Sequence, residues 1–305
     1  MSQGTSLQDV PWIELTALDE LWFQVSGTLC NLECSHCFIS CSPHNDSFGY
    51  LSLASVERML KESIAQGVKE YYFTGGEPFL NREIVPILEK ALEYGPTTVL
   101  TNGTVLQPVW LQRLRTAEER GVYSLEFRVS IDGPTAEIND PIRGPRTFQR
   151  AMQGVGLLTE HGFLPIITMT RTWEMSRDAE ILDRFRGVLA EHGCTRPRLK
   201  ILPRLQIGAE AKRTQGYGDH DRVTAEMMAG FDGSRLICNH SRVVTDRGVY
   251  VCPILLDEPD ACMGKTLSEA AGAYPLGHGA CFTCYQYGSI CTNPSSGQFE
   301  APETV

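Results

Sequence analysis

Between about residue 20 and residue 205, short apolar runs alternate with longer stretches in which apolar residues recur every three or four positions. The short runs, at 21–26, 70–74, 97–101, 125–131, 164–170 and 198–202, are apolar or β-branched, as strands buried on both faces tend to be. The longer stretches predict helices. Residues 52–67 place Val56, Met59, Leu60 and Ile64 on one face, and residues 81–95 do the same with Ile84, Ile87, Leu88 and Leu92. Further helices are expected over 108–120, 147–161 and 177–192. All five stop at a glycine, the residue that most easily closes a helix in a left-handed turn. Successive strand–helix–strand units force right-handed crossovers between parallel strands. The expected fold class is therefore α/β, a partial (β/α)6 TIM-like barrel with a small Cys-rich C-terminal domain.

Outside 20–205 the pattern weakens. Residues 1–19 read as an N-terminal extension. Residues 206–235 are rich in glycine and polar residues and predict a linker with one helix near 223–229. The segment 238–291 carries six cysteines and little periodicity, so a metal is expected to hold it together, and 206–292 is read as linker and cluster domain. Residues 293–305 predict a disordered tail.

Composition narrows the function classes. An apolar fraction of 42% is enough for a sizeable core. A formal charge of −10 without a long Lys/Arg run argues against binding nucleic-acid phosphates. The first ten residues lack the basic and apolar regions of a signal peptide, and no apolar stretch reaches the roughly 18–20 residues of a membrane span. A cytoplasmic location is expected. There the eleven cysteines are better read as metal ligands or reactive thiols than as a disulfide framework.

The first cysteines form the run Cys30-Asn31-Leu32-Glu33-Cys34-Ser35-His36-Cys37, just after the first predicted strand. The loop after a strand lies on the catalytic face of an α/β barrel. Three thiolates can hold three irons of a [4Fe–4S] cluster and leave the fourth iron open. With Cys41 the same cysteines could instead make a four-thiolate zinc knuckle.

The strand ends decide between these. Cys-x3-Cys-x2-Cys is followed by Thr74-Gly75-Gly76-Glu77-Pro78 at the end of the second strand, Thr101-Asn102-Gly103 after the third, Ser130-Ile131-Asp132-Gly133 after the fourth, and the segment 140–148 (DPIRGPRTF) with Arg143. In this order the motifs resemble the radical S-adenosylmethionine superfamily over roughly residues 20–205. The resemblance implies a cluster on Cys30, Cys34 and Cys37. It also implies an S-adenosylmethionine site formed by His36, Gly75, Gly76, Glu77, Asn102, Ser130, Asp132 and Arg143, with Glu77 meeting the methionine amino group. The implied reaction is hydrogen abstraction by a 5′-deoxyadenosyl radical, fed by a one-electron donor such as flavodoxin or ferredoxin.

The spacing Cys238-x9-Gly248-x3-Cys252, followed by Cys281-x2-Cys284-x6-Cys291, is similar to the twitch and SPASM extensions of that superfamily, without the last cysteines of the full SPASM pattern. It implies one auxiliary [4Fe–4S] cluster on Cys238, Cys252, Cys281 and Cys284. A structural zinc with the same ligands is the alternative, and Cys262 and Cys291 are left over. An uncoordinated thiol can return a hydrogen atom to a substrate radical. Cys262 is the first candidate for that role, ahead of Cys291 and Cys41, although a buried apolar cysteine is as good a reading of each. The acidic run 257–260 beside Cys262 offers a site for substrate ammonium groups or simply a solvated loop. Together these features favour epimerisation or dehydrogenation of a small polar, cationic sugar or aminoglycoside-like molecule. A peptide-modifying (RiPP) maturase is the alternative.

Overall fold

The computed structural model describes residues 10–288 together with residues 290 and 291; residues 1–9 and the expected tail at 293–305 lie outside the described residues. In chain order the strands are β1 (Trp12–Ile13), β2 (Glu20–Gln24), β3 (Glu70–Thr74), β4 (Thr97–Thr101), β5 (Leu125–Ser130), β6 (Ile166–Thr170), β7 (Arg198–Leu202), β8 (Ser241–Val244), β9 (Val249–Tyr250), β10 (Cys262–Gly264) and β11 (Tyr274–Pro275). The helices are α1 (Leu53–Gln66), α2 (Ile84–Ala91), α3 (Pro108–Arg120), α4 (Ala136–Arg143), α5 (Thr147–Glu160), α6 (Asp178–Glu191), α7 (Gly208–Thr214), α8 (Ala225–Met228) and α9 (Gly279–Tyr287). Strands β2 to β7 pair in sequence order, each parallel to the next, as the β/α alternation requires. The sheet stays open.

Strand alternation sorts the side chains. Leu21, Phe23, Tyr71, Phe73, Val99, Phe127, Val129, Ile167 and Met169 point outward and bury themselves under the helices. The intervening positions, among them Trp22, Gln24, Thr74, Leu100, Arg128, Ser130, Thr168, Lys200 and Leu202, line a cavity on the other face. The inner face is thus much more polar than the outer, which marks it as the working side.

Several expectations need correction. On α1 the packed stripe is Val56, Met59, Leu60 and Ser63, while Ile64 is 68% exposed. Ser63 replaces it because its hydroxyl contacts the Leu60 carbonyl and the Tyr71 hydroxyl, both at 2.7 Å. Helix α4 was not anticipated, because Pro141 inside it reads as a breaker. Within the expected linker, α7 forms ahead of the anticipated helix, which is the short α8.

The C-terminal cysteine segment is not a separate layer. Strand β8 pairs parallel to β2, and β9 and β10 follow antiparallel, so one sheet of nine strands runs β10-β9-β8-β2 and on to β7. Arg242 secures it: fully buried, its Nε, Nη1 and Nη2 donate to the carbonyls of Ala270, Cys238, Ser241 and Gly272. The residues before β2 are sewn to the same region through β1–β11 pairing and through Asn239, which binds Thr16 and the Glu14 carbonyl at 2.8 Å each.

Phe127 sits at the centre of the outer core, stacked near Phe79 and edge-on to Phe163 at 4.8 Å. Phe127→Ala is expected to destabilise the protein by about 3–5 kcal/mol, measured as a lowered urea midpoint with an unchanged slope.

Candidate functional site

The cysteine loop between β2 and α1 is fixed by main-chain contacts to the end of β3. The Gly76 N–H donates to the Gly27 carbonyl and the Glu77 N–H to the Leu29 carbonyl. The approach is so close that a Cβ on Gly76 would lie 2.1 Å from the Leu29 oxygen, and one on Gly75 would lie 2.1 Å from Ser26 Oγ. That is why the strand ends in two glycines. Asn102 supports the loop from β4: its Nδ2 donates to Asn31 Oδ1 at 2.9 Å and its Oδ1 accepts from Thr104.

The loop carries Cys30, Cys34 and Cys37 onto the wall of the cavity, which encloses about 1350 Å³ of empty space including its open mouth. His36, Gly75, Gly76, Asn102, Ser130 and Arg143 line the same cavity. Six of the eight expected cofactor residues are therefore brought together around the triad.

Glu77 and Asp132 are the two that are not in the lining. Both are completely buried. The Glu77 carboxylate accepts from the Phe79 N–H at 3.1 Å, the Thr101 hydroxyl at 2.8 Å and the Asn102 N–H at 2.8 Å. Burial pushes its pKa up to about 7, against these three donors. It ties the end of β3 to the end of β4 beside the cavity wall. Asp132 sits behind His36 and Arg143, with Oδ2 2.6 Å from each, and accepts from the Thr170 N–H at 2.7 Å. Burial alone would raise its pKa, but Arg143 and His36 outweigh it and hold the carboxyl below the ordinary range. With Nε2–H of His36 directed at Asp132, His36 Nδ1 is left buried without a partner among the described residues.

The thiols differ in readiness. Burial raises Cys30 to about 12, and raises Cys34 to about 11 against the pull of the Arg143 guanidinium. Cys37 is lowered to about 6, chiefly because the Cys41 thiol and the Cys41 N–H, at 3.2 Å, both donate to its sulfur.

A second cavity, enclosing about 350 Å³, lies in the C-terminal segment. Cys238, Cys252, Cys281 and Cys284 line it together with apolar residues such as Leu236, Val251 and Leu276. These are the four thiols the spacing singled out. Four thiolates on zinc at about 2.3 Å would stand about 3.8 Å apart. Among the described residues, however, no three cysteines lie within 4.8 Å of one another; the one such group of potential ligands is Glu258, Asp260 and His278. Both cysteine sets are too open for zinc and suit a cluster, whose thiolates sit on separate irons. His36 Nδ1 and the glycine cradle likewise fit a ligand beside the triad.

Two expected features lie apart from the cavities. Cys262 is on the edge strand β10, against Gly248 and Tyr250, and is not among the residues lining either cavity. Cys41 and Cys291 do line the larger cavity. The acidic run 257–260 also lies outside it, with Glu258 and Asp260 facing His278. The cavity instead holds Arg128, Arg143 and Lys200. Nothing in local sequence spacing marks Arg128 or Lys200; only the inward register of β5 and β7 brings them in.

Asp132→Asn leaves the buried Arg143 guanidinium uncompensated. The variant is expected to lose about 3–5 kcal/mol of stability at pH 7. Because the native carboxyl is depressed, the contribution is complete above roughly pH 4 and is lost as pH falls below it. Urea unfolding of the wild type and variant at about pH 7 and about pH 2 should show the gap narrowing on acidification.

The family model for the Radical SAM superfamily matches residues 25–173. Among curated proteins, the antilisterial bacteriocin subtilosin biosynthesis protein AlbA of Bacillus subtilis is 28% identical over 152 residues, 48% of this chain and 33% of that one. The AdoMet-dependent heme synthase of Methanosarcina barkeri is 34% identical over 144 residues, 47% of this chain and 39% of that one. The mycofactocin maturase MftC of Mycobacterium tuberculosis is 28% identical over 230 residues, 74% of this chain and 54% of that one. The chain thus spans about a third to a half of the length of these relatives. In fold it is similar to Streptococcus suis SuiB bound to precursor peptide SuiA, with a TM-score of 0.63 at 16% identity, covering 90% of this chain and 72% of that one. The glycine-cradled cysteine triad and the strand ends around it therefore lie within residues 25–173, the stretch of this chain that matches the Radical SAM superfamily model.

Proposed function

We infer that the chain is a radical S-adenosylmethionine enzyme that modifies a peptide, with one [4Fe–4S] cluster at the triad and an auxiliary one in the C-terminal cage. The observation that carries the reading is the convergence of Cys30, Cys34 and Cys37 with Gly75, Gly76, Asn102, Ser130 and Arg143 on a single cavity. When bound, the cluster and S-adenosylmethionine supply a reductively generated 5′-deoxyadenosyl radical that removes a hydrogen atom from substrate. The protein's residues do the rest. Cys30, Cys34 and Cys37 hold the cluster, the glycine edge leaves room for the methionine end of the cofactor, and Arg143 provides a cation fixed by Asp132. Leu100, Leu202 and Leu205 give the cavity apolar walls that exclude water from a reactive intermediate.

The peptide reading replaces a small cationic sugar as the preferred substrate class for two reasons. The acidic run that would have held ammonium groups lies outside the cavity. The match to a maturase extends over 74% of the chain, and a peptide-bound structure shares the fold over 90% of it, whereas the heme synthase match stops at 47%.

The auxiliary cluster is supported by the apolar cage and by its nearness to the reaction cavity. Cys252 faces the cage while the next residue, Pro253, faces the reaction cavity. A cluster there is placed to take an electron from a substrate radical, and a small one-electron donor protein would supply the first.

Anaerobic reconstitution is expected to give about eight irons per chain. Changing Cys30, Cys34 and Cys37 together to Ala should leave about four and abolish reductive cleavage of S-adenosylmethionine. Changing Cys238, Cys252, Cys281 and Cys284 together should also leave about four, but with the cleavage retained. Zinc in place of iron, or no loss of iron from either variant, would refute the two-cluster reading.

A further inference from the structure

The reaction cavity contains a polar group that the cluster and the strand ends leave unused. Arg128 precedes Ser130 by one inward position on β5, so it stands deeper, nearer the N-terminal ends of the strands. It lines the cavity although only 2% of its surface is exposed. Its Nη1 donates to the Cys291 carbonyl, and its guanidinium lies 5.1 Å from the centroid of Tyr72, which stacks on Trp22 at 4.3 Å. Among the described residues, Nε and Nη2 have no hydrogen-bond partner. Glu126 approaches Nε only to 3.9 Å and is engaged by Arg198 at 2.6 Å.

A purely structural arginine in this protein looks different. Arg242 is equally buried and directs all three nitrogens at carbonyls, leaving none unsatisfied. Burying a guanidinium with unsatisfied N–H groups is costly, and the cost is recovered when an acceptor arrives. A second cation lies on the same wall. Lys200 projects inward from β7, level with Ser130 through Thr168. Burial first, and then Arg128, push its ammonium down to about 7, while Cys291, Glu20 and Glu126 pull the other way. An anion placed between the two cations would relieve both penalties.

We propose that Arg128 and Lys200 form a carboxylate-binding site in the floor of the reaction cavity, and that the substrate enters with a carboxylate pointing inward. The proposal rests on the peptide reading for the nature of the substrate, and there the acid is either a side chain or a free C-terminus. It names the feature by which the cavity would choose its substrate: a planar anion matches the guanidinium fork, and the stacked Trp22–Tyr72 pair walls the space beside it.

The test is saturation-transfer NMR on the reconstituted protein with S-adenosylmethionine, using three peptides of equal length. They are N-acetyl-Ala-Glu-Ala-amide, N-acetyl-Ala-Ala-Ala with a free C-terminus, and N-acetyl-Ala-Gln-Ala-amide. At least one acid should bind about tenfold or more tightly than the neutral amide, and which one does so identifies the source of the carboxylate. Arg128→Met should remove that preference, Lys200→Gln should reduce it, and Arg128→Lys should keep part of it. Iron content and circular dichroism check that each variant folds; if Arg128→Met does not, the other two carry the comparison. Equal binding of all three peptides, or a preference that survives both Arg128→Met and Lys200→Gln, would overturn the proposal. Glucuronate and glucose run alongside keep the two readings apart. Selective binding of glucuronate, lost in the Arg128 variant and unaccompanied by any peptide binding, would uphold the carboxylate site and refute the peptide reading.

Discussion

The site depends first on a main-chain seam, where the loop after β2 meets the end of β3. Gly76 and Glu77 donate to the Gly27 and Leu29 carbonyls, at a separation no side chain would tolerate. Gly27 shows the same constraint from the other side: its φ is +56°, and a Cβ there would lie 1.9 Å from the Phe48 oxygen. The loop has almost no regular structure of its own, yet it must hold three thiols at fixed points. Borrowing rigidity from the strand beside it, through backbone bonds that no rotamer change can break, is how an irregular segment becomes a precise one.

Two buried carboxylates extend that rigidity across the top of the sheet by different means. Glu77 is satisfied by neutral donors from β4 and its own turn, so it couples neighbouring strands. Asp132 is satisfied by a guanidinium, an imidazole and one backbone N–H, so it couples β5 to the cysteine loop through His36 and to α4 through Arg143. Burial opposes the ionised form of both. Cations win that contest at Asp132, while at Glu77 the donors only moderate it. Neither carboxylate is among the residues lining the cavity, but each is bonded to residues that are, Glu77 to Thr101 and Asn102 and Asp132 to His36 and Arg143.

Most of the scaffold was legible because its rules are local. The six inner strands follow from apolar runs, the helices from three-to-four periodicity, and the cysteine triad from spacing. Where the structure departed, a tertiary contact had overridden the pattern. Ser63 displaced Ile64 from the packed stripe because a partner hydroxyl on Tyr71 awaited it. Pro141 was tolerated in α4 because the helix is short and a side chain from it, Arg143, is anchored at its end. The joining of β8 to β2 could not be read from either segment, since pairing partners more than two hundred residues apart leave no periodic trace. Cys262 looked like a candidate for chemistry because the auxiliary-cluster spacing left it uncoordinated, but the strand carrying it turns that thiol toward Gly248 and Tyr250.

The same joining of β8 to β2 gives the two cysteine sets a fixed relation. Because β8 continues the barrel's own sheet, the residues after it are carried back to the cavity instead of hanging from a tether. Consecutive residues Cys252 and Pro253 then face the cage and the cavity respectively. Cys291 closes the gap from the far side: it lines the cavity, and burial first, then the neighbouring Cys252 thiol, makes its own thiol hard to ionise. The cage is apolar apart from its sulfurs, so a charge held there would be poorly screened and would interact strongly with charge developing next door. A sheet extended by three strands thus places the C-terminal thiols directly behind the wall of the larger cavity.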